Sequence, residues 1–394
     1  MAVKILIMLS TFTLIAGEVI FVVDAVRHGI HTGRTNLSQI PDITWPIYDE
    51  LTAGGIRQQY LLGRLRRKQY IEIQQFLNEN FDPKAIEAKV SNFRRNLMSA
   101  QSYLLGLYPY GVENLNENQR KVESNLLLPK IPLKVSKDLI DLLKEKPVPG
   151  NIPVFPLTVL DRSVENILRI YNCPLFEYTI GGYFESNDYS TLFKKYNPLW
   201  EMLRSAYPFL TTDYLMNSDN AAQVTDFFLS AEGMGIRPSK FTEETINLLK
   251  NFWGEILEAQ MMYNPILVTI SIYEWTKEII EYMDRKINGK EDLKYVLYSS
   301  HSRGVFSLLA GVKKFNNTIK FETDDFSSNI LFELTKENST LFVAVYYNGE
   351  LIHKEKYEDF KKKFLDAGEL GMSREEACRA PKGFIQGTVT EYWD

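Results

Sequence analysis

Three of the chain's four histidines fall in two short segments, Arg27-His28-Gly29-Ile30-His31 and Tyr298-Ser-Ser-His301. A neutral imidazole nitrogen is a nucleophile near neutral pH, and small changes of environment move its charge across the physiological range. Arg27 and Arg34 flank the first segment, and their guanidinium forks suit oxyanions. Residues of these types, gathered at strand ends, suit a pocket for an anionic ligand. The bland reading of each histidine is a polar strand-end residue that caps a helix.

Such residues act together only if the fold brings them together. Val19-Ile-Phe-Val-Val-Asp-Ala-Val26 is almost continuously β-branched or apolar, which fits a strand buried on both faces of a parallel or mixed sheet. Tyr295–Tyr298 reads as a second, shorter strand. His28 and His301 therefore sit just past two strand ends, and a helix is expected after each loop: Ile56–Tyr70, with Thr52 as N-cap, and Val305–Val312. In open α/β sheets ligands bind beyond the carboxyl ends of strands, and helix N-termini there favour anions. Arg64, Arg66, Arg67 and Lys68 end the first helix and read as a solvated basic terminus. Further helices are expected over Asn92–Leu107, after Thr242, and across Ile272–Tyr282, with later strands at Ile330–Leu334 and Leu341–Tyr347.

The chain has 394 residues, 45% hydrophobic and 24% charged, with a formal net charge of −5. That composition describes a folded globular protein and argues against nucleic acid as a principal partner, which needs a broad basic face. Lys4 followed by the apolar run Ile5–Ile15 and Ala16-Gly17 has the layout of a secretory signal. No later stretch reaches the length of a membrane span. Asn36, Asn316 and Asn338 are glycosylation sequons compatible with that route. The two cysteines, Cys173 and Cys378, are either one long-range bridge or two thiols; spacing does not decide, and no metal motif can be built from them.

The Arg27-His28-Gly29 triplet after a buried strand resembles the histidine acid phosphatase family, a branch of the histidine phosphatase superfamily. Leu51-Thr52, Gly55, Gln58, Leu62-Gly63, Leu65-Arg66 and Tyr70 are similar to its first helix. Arg95-Asn-Leu-Met-Ser-Ala100, Gly106-Leu-Tyr-Pro109, Ile152-Pro-Val154, Asn172-Cys-Pro174, Tyr298-Ser-Ser-His301 and Phe332-Glu-Leu334 match later blocks. The resemblance runs from Val19 to Cys378 and is weakest in the middle. It implies a mixed, mostly parallel α/β sheet flanked by helices (18–110 and 288–394), with a mainly helical cap inserted at 111–287 behind a signal segment at 1–17. It also implies hydrolysis of a phosphorylated small molecule or phosphoprotein through a phosphohistidine on His28, without a cofactor. Arg27 and Arg95 would bind phosphate, His301 would donate a hydrogen bond to it, and Cys173 would pair with Cys378. Secretion or a lysosomal or vacuolar lumen follows.

Two positions depart from the family pattern. His31 stands where a second phosphate-binding arginine belongs, unless Arg34 reaches in instead. Ser302 stands where the family places the acid that protonates the leaving oxygen, and a hydroxyl is a poor donor for that step. Asp24 is an acid on the same strand as His28 but is expected to lie off the pocket. The chain thus reads as a working, altered phosphomonoesterase, with a pocket reduced to phosphate binding or to a structural role as the alternative.

Overall fold

The computed structural model describes residues 17–34, 37, 39–40, 43–110, 138, 146–147, 151–321 and 325–379. Asn36 and, apart from Gly17, the expected signal segment lie outside the described residues. At the centre is a seven-stranded mixed sheet in the order β3-β2-β4-β1-β5-β6-β7. Its strands are β1 (Glu18–Arg27), β2 (Ile86–Val90), β3 (Thr158–Val159), β4 (Tyr295–Ser300), β5 (Asn329–Glu337), β6 (Thr340–Tyr347) and β7 (Glu350–Lys356). The four strands from β3 to β1 run parallel, and β5 to β7 add an antiparallel meander. Asn338, one of the sequons, is exposed in the turn between β5 and β6.

The β-branched run of β1 is buried on both faces, as its pattern requires. Phe21, Val23 and Ala25 pack on one side; Val19, Val22 and Val26 pack on the other. The first side is covered by α9 (Pro265–Ile287), α10 (Ser302–Lys313) and α11 (Tyr357–Gly368), through residues such as Trp275, Val305 and Phe364. The second is covered by α2 (Arg94–Leu107), with Tyr70 and Ile71 in the π-helical extension of α1 (Ala53–Arg67). The α1 N-cap is as expected, with Thr52 Oγ1 accepting from Gly55 N at 3.0 Å. Helices α1 and α2 cross in close contact. A Cβ on Gly63 would lie 2.0 Å from the Tyr103 carbonyl oxygen, and one on Gly106 2.1 Å from that of Tyr60.

The basic end of α1 differs from the expected solvated terminus, because Arg66 and Arg67 are buried. Arg66 donates from Nε to Asp24 Oδ2 at 2.8 Å and to Asn329, while Arg67 Nη1 donates to the Leu107 carbonyl at the end of α2. Sequence periodicity could not show that tertiary partners wait at both positions.

A helical layer lies over one end of the sheet: α3 (Pro174–Phe184), α4 (Asn187–Lys195), α5 (Asn197–Ala206), α6 (Thr212–Met216), α7 (Ser218–Gly233) and α8 (Glu243–Tyr263). Its apolar core includes Trp200, Leu249 and Phe252 and continues into Leu267 and Ile272 of α9, whose second half instead joins the core under the sheet. Cys173, which opens α3, is bonded to Cys378 beside the short helix α12 (Arg374–Ala377). No helix among the described residues is long and apolar enough to cross a membrane.

Candidate active site

Register alone brings the two histidine segments together. In the parallel β1–β4 pair Arg27 lies opposite Ser300, so His28 and His301 leave the sheet side by side. His28 N donates to the Ser300 carbonyl at 3.1 Å, and the two imidazoles have centroids 5.6 Å apart. Asn96 of α2 ties the strand ends further, donating from Nδ2 to the carbonyls of Ser299 and Ser300. Gly29 sits so close to α1 that a Cβ there would be 2.5 Å from the Gly55 carbonyl oxygen. That contact explains the glycine and turns His28 over the strand ends.

The tautomer of His28 follows from its partner. Nδ1 lies 3.0 Å from the Gly29 carbonyl, which can only accept, so Nδ1 carries the proton and Nε2 keeps its lone pair. Burial pushes the His28 pKa well below its ordinary value of 6.5, and Arg95, His31, Arg27 and His301 push it the same way. A buried, neutral imidazole with a free Nε2 lone pair is the form a nucleophile needs.

Arg95 is buried in the same pocket at the start of α2, stacked over Phe93 at 4.7 Å. Its Nη2 donates to His301 Nδ1 at 3.1 Å, so His301 carries its proton on Nε2 and gives it to Ser91 Oγ at 2.9 Å. Both His301 nitrogens are engaged, and the ring positions Arg95. Arg27 is buried with its guanidinium 4.4 Å over the Phe326 ring, and Gln59 holds its carbonyl.

His31 and Arg34 both reach the pocket. The segment after His28 pairs with residues 49–52: His31 bridges Leu51, Thr32 N donates to the Glu50 carbonyl, and Asp49 N to the Gly33 carbonyl. The His31 ring stands 4.9 Å from that of His28, and its Nδ1 donates to the Thr32 carbonyl at 2.7 Å. Its Nε2 faces Asp226 Oδ1 of α7 at 3.4 Å, and Asp226 Oδ2 accepts from Arg34 N. Burial lowers the His31 pKa well below 6.5, as do Arg95 and Arg34, with Asp49 and the Thr32 carbonyl opposing.

Two acids that were not singled out in the sequence therefore line the pocket. Asp49 accepts from Arg95 Nη1 at 2.5 Å through both carboxylate oxygens and lies 4.0 Å from Arg34 Nε. Nothing in a loop acid marked it in advance. Asp226 carried a fainter signal, being a carboxylate on the face of α7 that also holds the buried Ala222 and Ser230. Asp24, in contrast, is off the pocket, accepting from Arg66, Tyr103 and Tyr295 beneath the sheet. Ser302 is buried at the first turn of α10, immediately after His301.

Comparison with known proteins agrees with this geometry. A family model described as the histidine phosphatase superfamily, branch 2, matches residues 35–144. The prostatic acid phosphatase of Homo sapiens is 26% identical over 363 residues, covering 87% of this chain and 80% of that protein. The Bos taurus protein of the same name is 24% identical over 351 residues, covering 85% and 78%. The chain is similar to the histidine acid phosphatases over most of its length. The apo form of the Hafnia alvei phytase shares its fold, with a TM-score of 0.61 at 12% identity over 93% of this chain and 99% of that one.

Proposed function

We propose that the protein is a phosphomonoester hydrolase that works through a phosphohistidine on His28. The observation that carries this is the β1–β4 register, which sets a neutral His28 with its Nε2 lone pair beside Arg27, Arg95 and His301. In the first step Nε2 attacks phosphorus and the leaving oxygen departs. In the second, water displaces the phosphoryl group and restores His28. Arg27 and Arg95 offset the charge of the phosphoryl oxygens in a site screened from water, where fixed cations are worth most. Arg34 completes the cationic side, and His31 stands beside it as a neutral imidazole. The Cys173–Cys378 bond and the Lys4-to-Gly17 segment favour the secretory pathway, with a secreted or lysosomal product.

The test is hydrolysis of p-nitrophenyl phosphate across acid to mildly alkaline pH, with His28→Ala as control. Turnover that disappears in the variant, with phosphate trapped on the protein at rapid quench, is expected. A second reading rests on Ser302 and on the Asp49 carboxylate already held by Arg95: a pocket that binds phosphate without turning esters over. Saturable phosphate binding with no release of p-nitrophenolate would favour it.

A further inference from the structure

We infer that Asp49 is the acid that protonates the leaving oxygen in place of the residue lost at Ser302, an inference that rests on the proposed phosphatase reading. Asp49 is the more open of the two pocket acids, its side chain 33% exposed against 8% for Asp226. His28 attacks from the buried side, so an in-line leaving group departs toward the open side. Glu50, its neighbour, is turned to Arg94 at 3.0 Å. Asp226 is the more enclosed, accepting from the backbone of Arg34 and facing the unprotonated Nε2 of His31 at 3.4 Å.

The proton count follows from the contacts. Arg95 now gives Nη1 to both Asp49 oxygens, and Arg34 and His31 lie 4.0 and 3.9 Å from the same carboxylate. A substrate phosphoryl group must take those donors, which sets a second anion against Asp49. Two anions brought into contact favour a proton shared between them. Asp49 therefore takes up a proton as substrate binds. When His28 Nε2 bonds to phosphorus and the P–OR bond breaks, the electron pair goes to oxygen and the Asp49 proton joins it, releasing ROH. In the second step water attacks the phosphohistidine and its proton returns to Asp49, giving inorganic phosphate and neutral His28.

The backbone supports a dedicated placement. Asp49 has φ +55°, a left-handed conformation that costs most residues about 1 kcal/mol and that Asp and Asn tolerate best. Asp49→Asn therefore keeps shape and backbone while removing the acid, and Asp49→Gly serves as a second variant that accepts the same φ.

The experiment compares p-nitrophenyl phosphate, whose leaving group needs no proton, with glycerol 2-phosphate, whose alkoxide does. Asp49→Asn should lower kcat on the alkyl ester by about 10²-fold more than on the aryl ester, the usual worth of general acid assistance. Adding Ser302→Asp to Asp49→Asn should return part of the alkyl activity. Equal loss on both esters, or a gain on both, overturns the assignment; the gain would make Asp49 a plug on Arg95. A selective loss in Asp226→Asn but not in Asp49→Asn gives the role to Asp226. Absence of turnover by the unmodified protein overturns the phosphatase reading itself, and this assignment with it.

Discussion

Acid should destabilise this fold through its three pocket histidines, by an amount the structure sets. His28, His31 and His301 are all buried, and burial first, then Arg95, holds each pKa well below 6.5. Each is neutral in the folded protein, while in the unfolded chain each titrates near pH ~6.5. Below that pH the unfolded state binds more protons than the folded one, so stability falls as pH falls, until the folded-state pKa values are reached. For one histidine that stays neutral in the fold, lowering the pH from 7.5 to 5.5 costs about RT ln 10, or about 1.4 kcal/mol. Three together cost about 4 kcal/mol, a large share of the ~5–15 kcal/mol that a domain has. Glu333 and Glu258, whose pKa values burial raises, titrate with the opposite sign, so the measurement must be a difference. Urea unfolding of the wild type and of His28→Gln, His31→Gln and His301→Gln, at both pH values in phosphate-free buffer, supplies it. Each variant should lose about 1.4 kcal/mol less than wild type over the interval. A wild-type loss no greater than that of the triple variant would mean that the pocket holds its histidines charged, and the neutral nucleophile would have to be abandoned.

Other expectations concern the pocket and its frame. If His31 contacts the phosphoryl group, a bound dianion raises its pKa, so phosphate inhibition should weaken as pH rises through neutrality and His31→Arg should flatten that profile; an unchanged profile assigns the contact to Arg34. Gly63→Ala puts a methyl group 2.0 Å from the Tyr103 carbonyl oxygen and should force α1 and α2 apart. A loss of about 1–3 kcal/mol in urea unfolding is expected, with kcat falling as Arg95 shifts; unchanged stability would contradict the crossing described. Opening the Cys173–Cys378 bond, which spans 205 residues, by the double alanine variant should cost about 2–5 kcal/mol under the same assay. An unchanged unfolding midpoint would show that helix packing alone secures the ends.

The legible parts of this protein were those written in consecutive residues. The β-branched run of β1, the Thr52 cap and the helix after His301 follow from local rules, and the family blocks around Arg95 and Cys173 placed a cation and a disulfide that no local rule could pair. Beyond those residues the signal fades for identifiable reasons. Strand β2 has only five residues, with charges at Glu87 and Lys89, and β7 alternates on an exposed edge, so neither shows a core-like run. The basic end of α1 misleads because a charge on a helix looks the same in sequence whether water or a buried carboxylate meets it. Asp24 and Arg66 find each other across 42 positions through three-dimensional packing alone.

The same argument explains why the altered chemistry was harder to read than the fold. The resemblance sets Ser302 where an acid is expected through one residue type in a short motif, whereas the replacement acid proposed above has no required place in the sequence. It must only reach the open side of the pocket. Asp49 reaches it because residues 49–52 pair with the segment after His28, a ladder of three backbone hydrogen bonds closed by the His31–Leu51 bridge. That pairing couples the fate of two departures from the family pattern. The backbone that carries His31 in place of arginine is the backbone that holds Asp49 against Arg95. An arginine restored at position 31 would add a fixed cation beside that carboxylate and favour its ionised form. It should therefore strengthen phosphate binding while making Asp49 a poorer proton donor, separating affinity from turnover on alkyl esters. Tighter phosphate inhibition together with faster alkyl ester turnover in His31→Arg would break that coupling and remove Asp49 from the proton path.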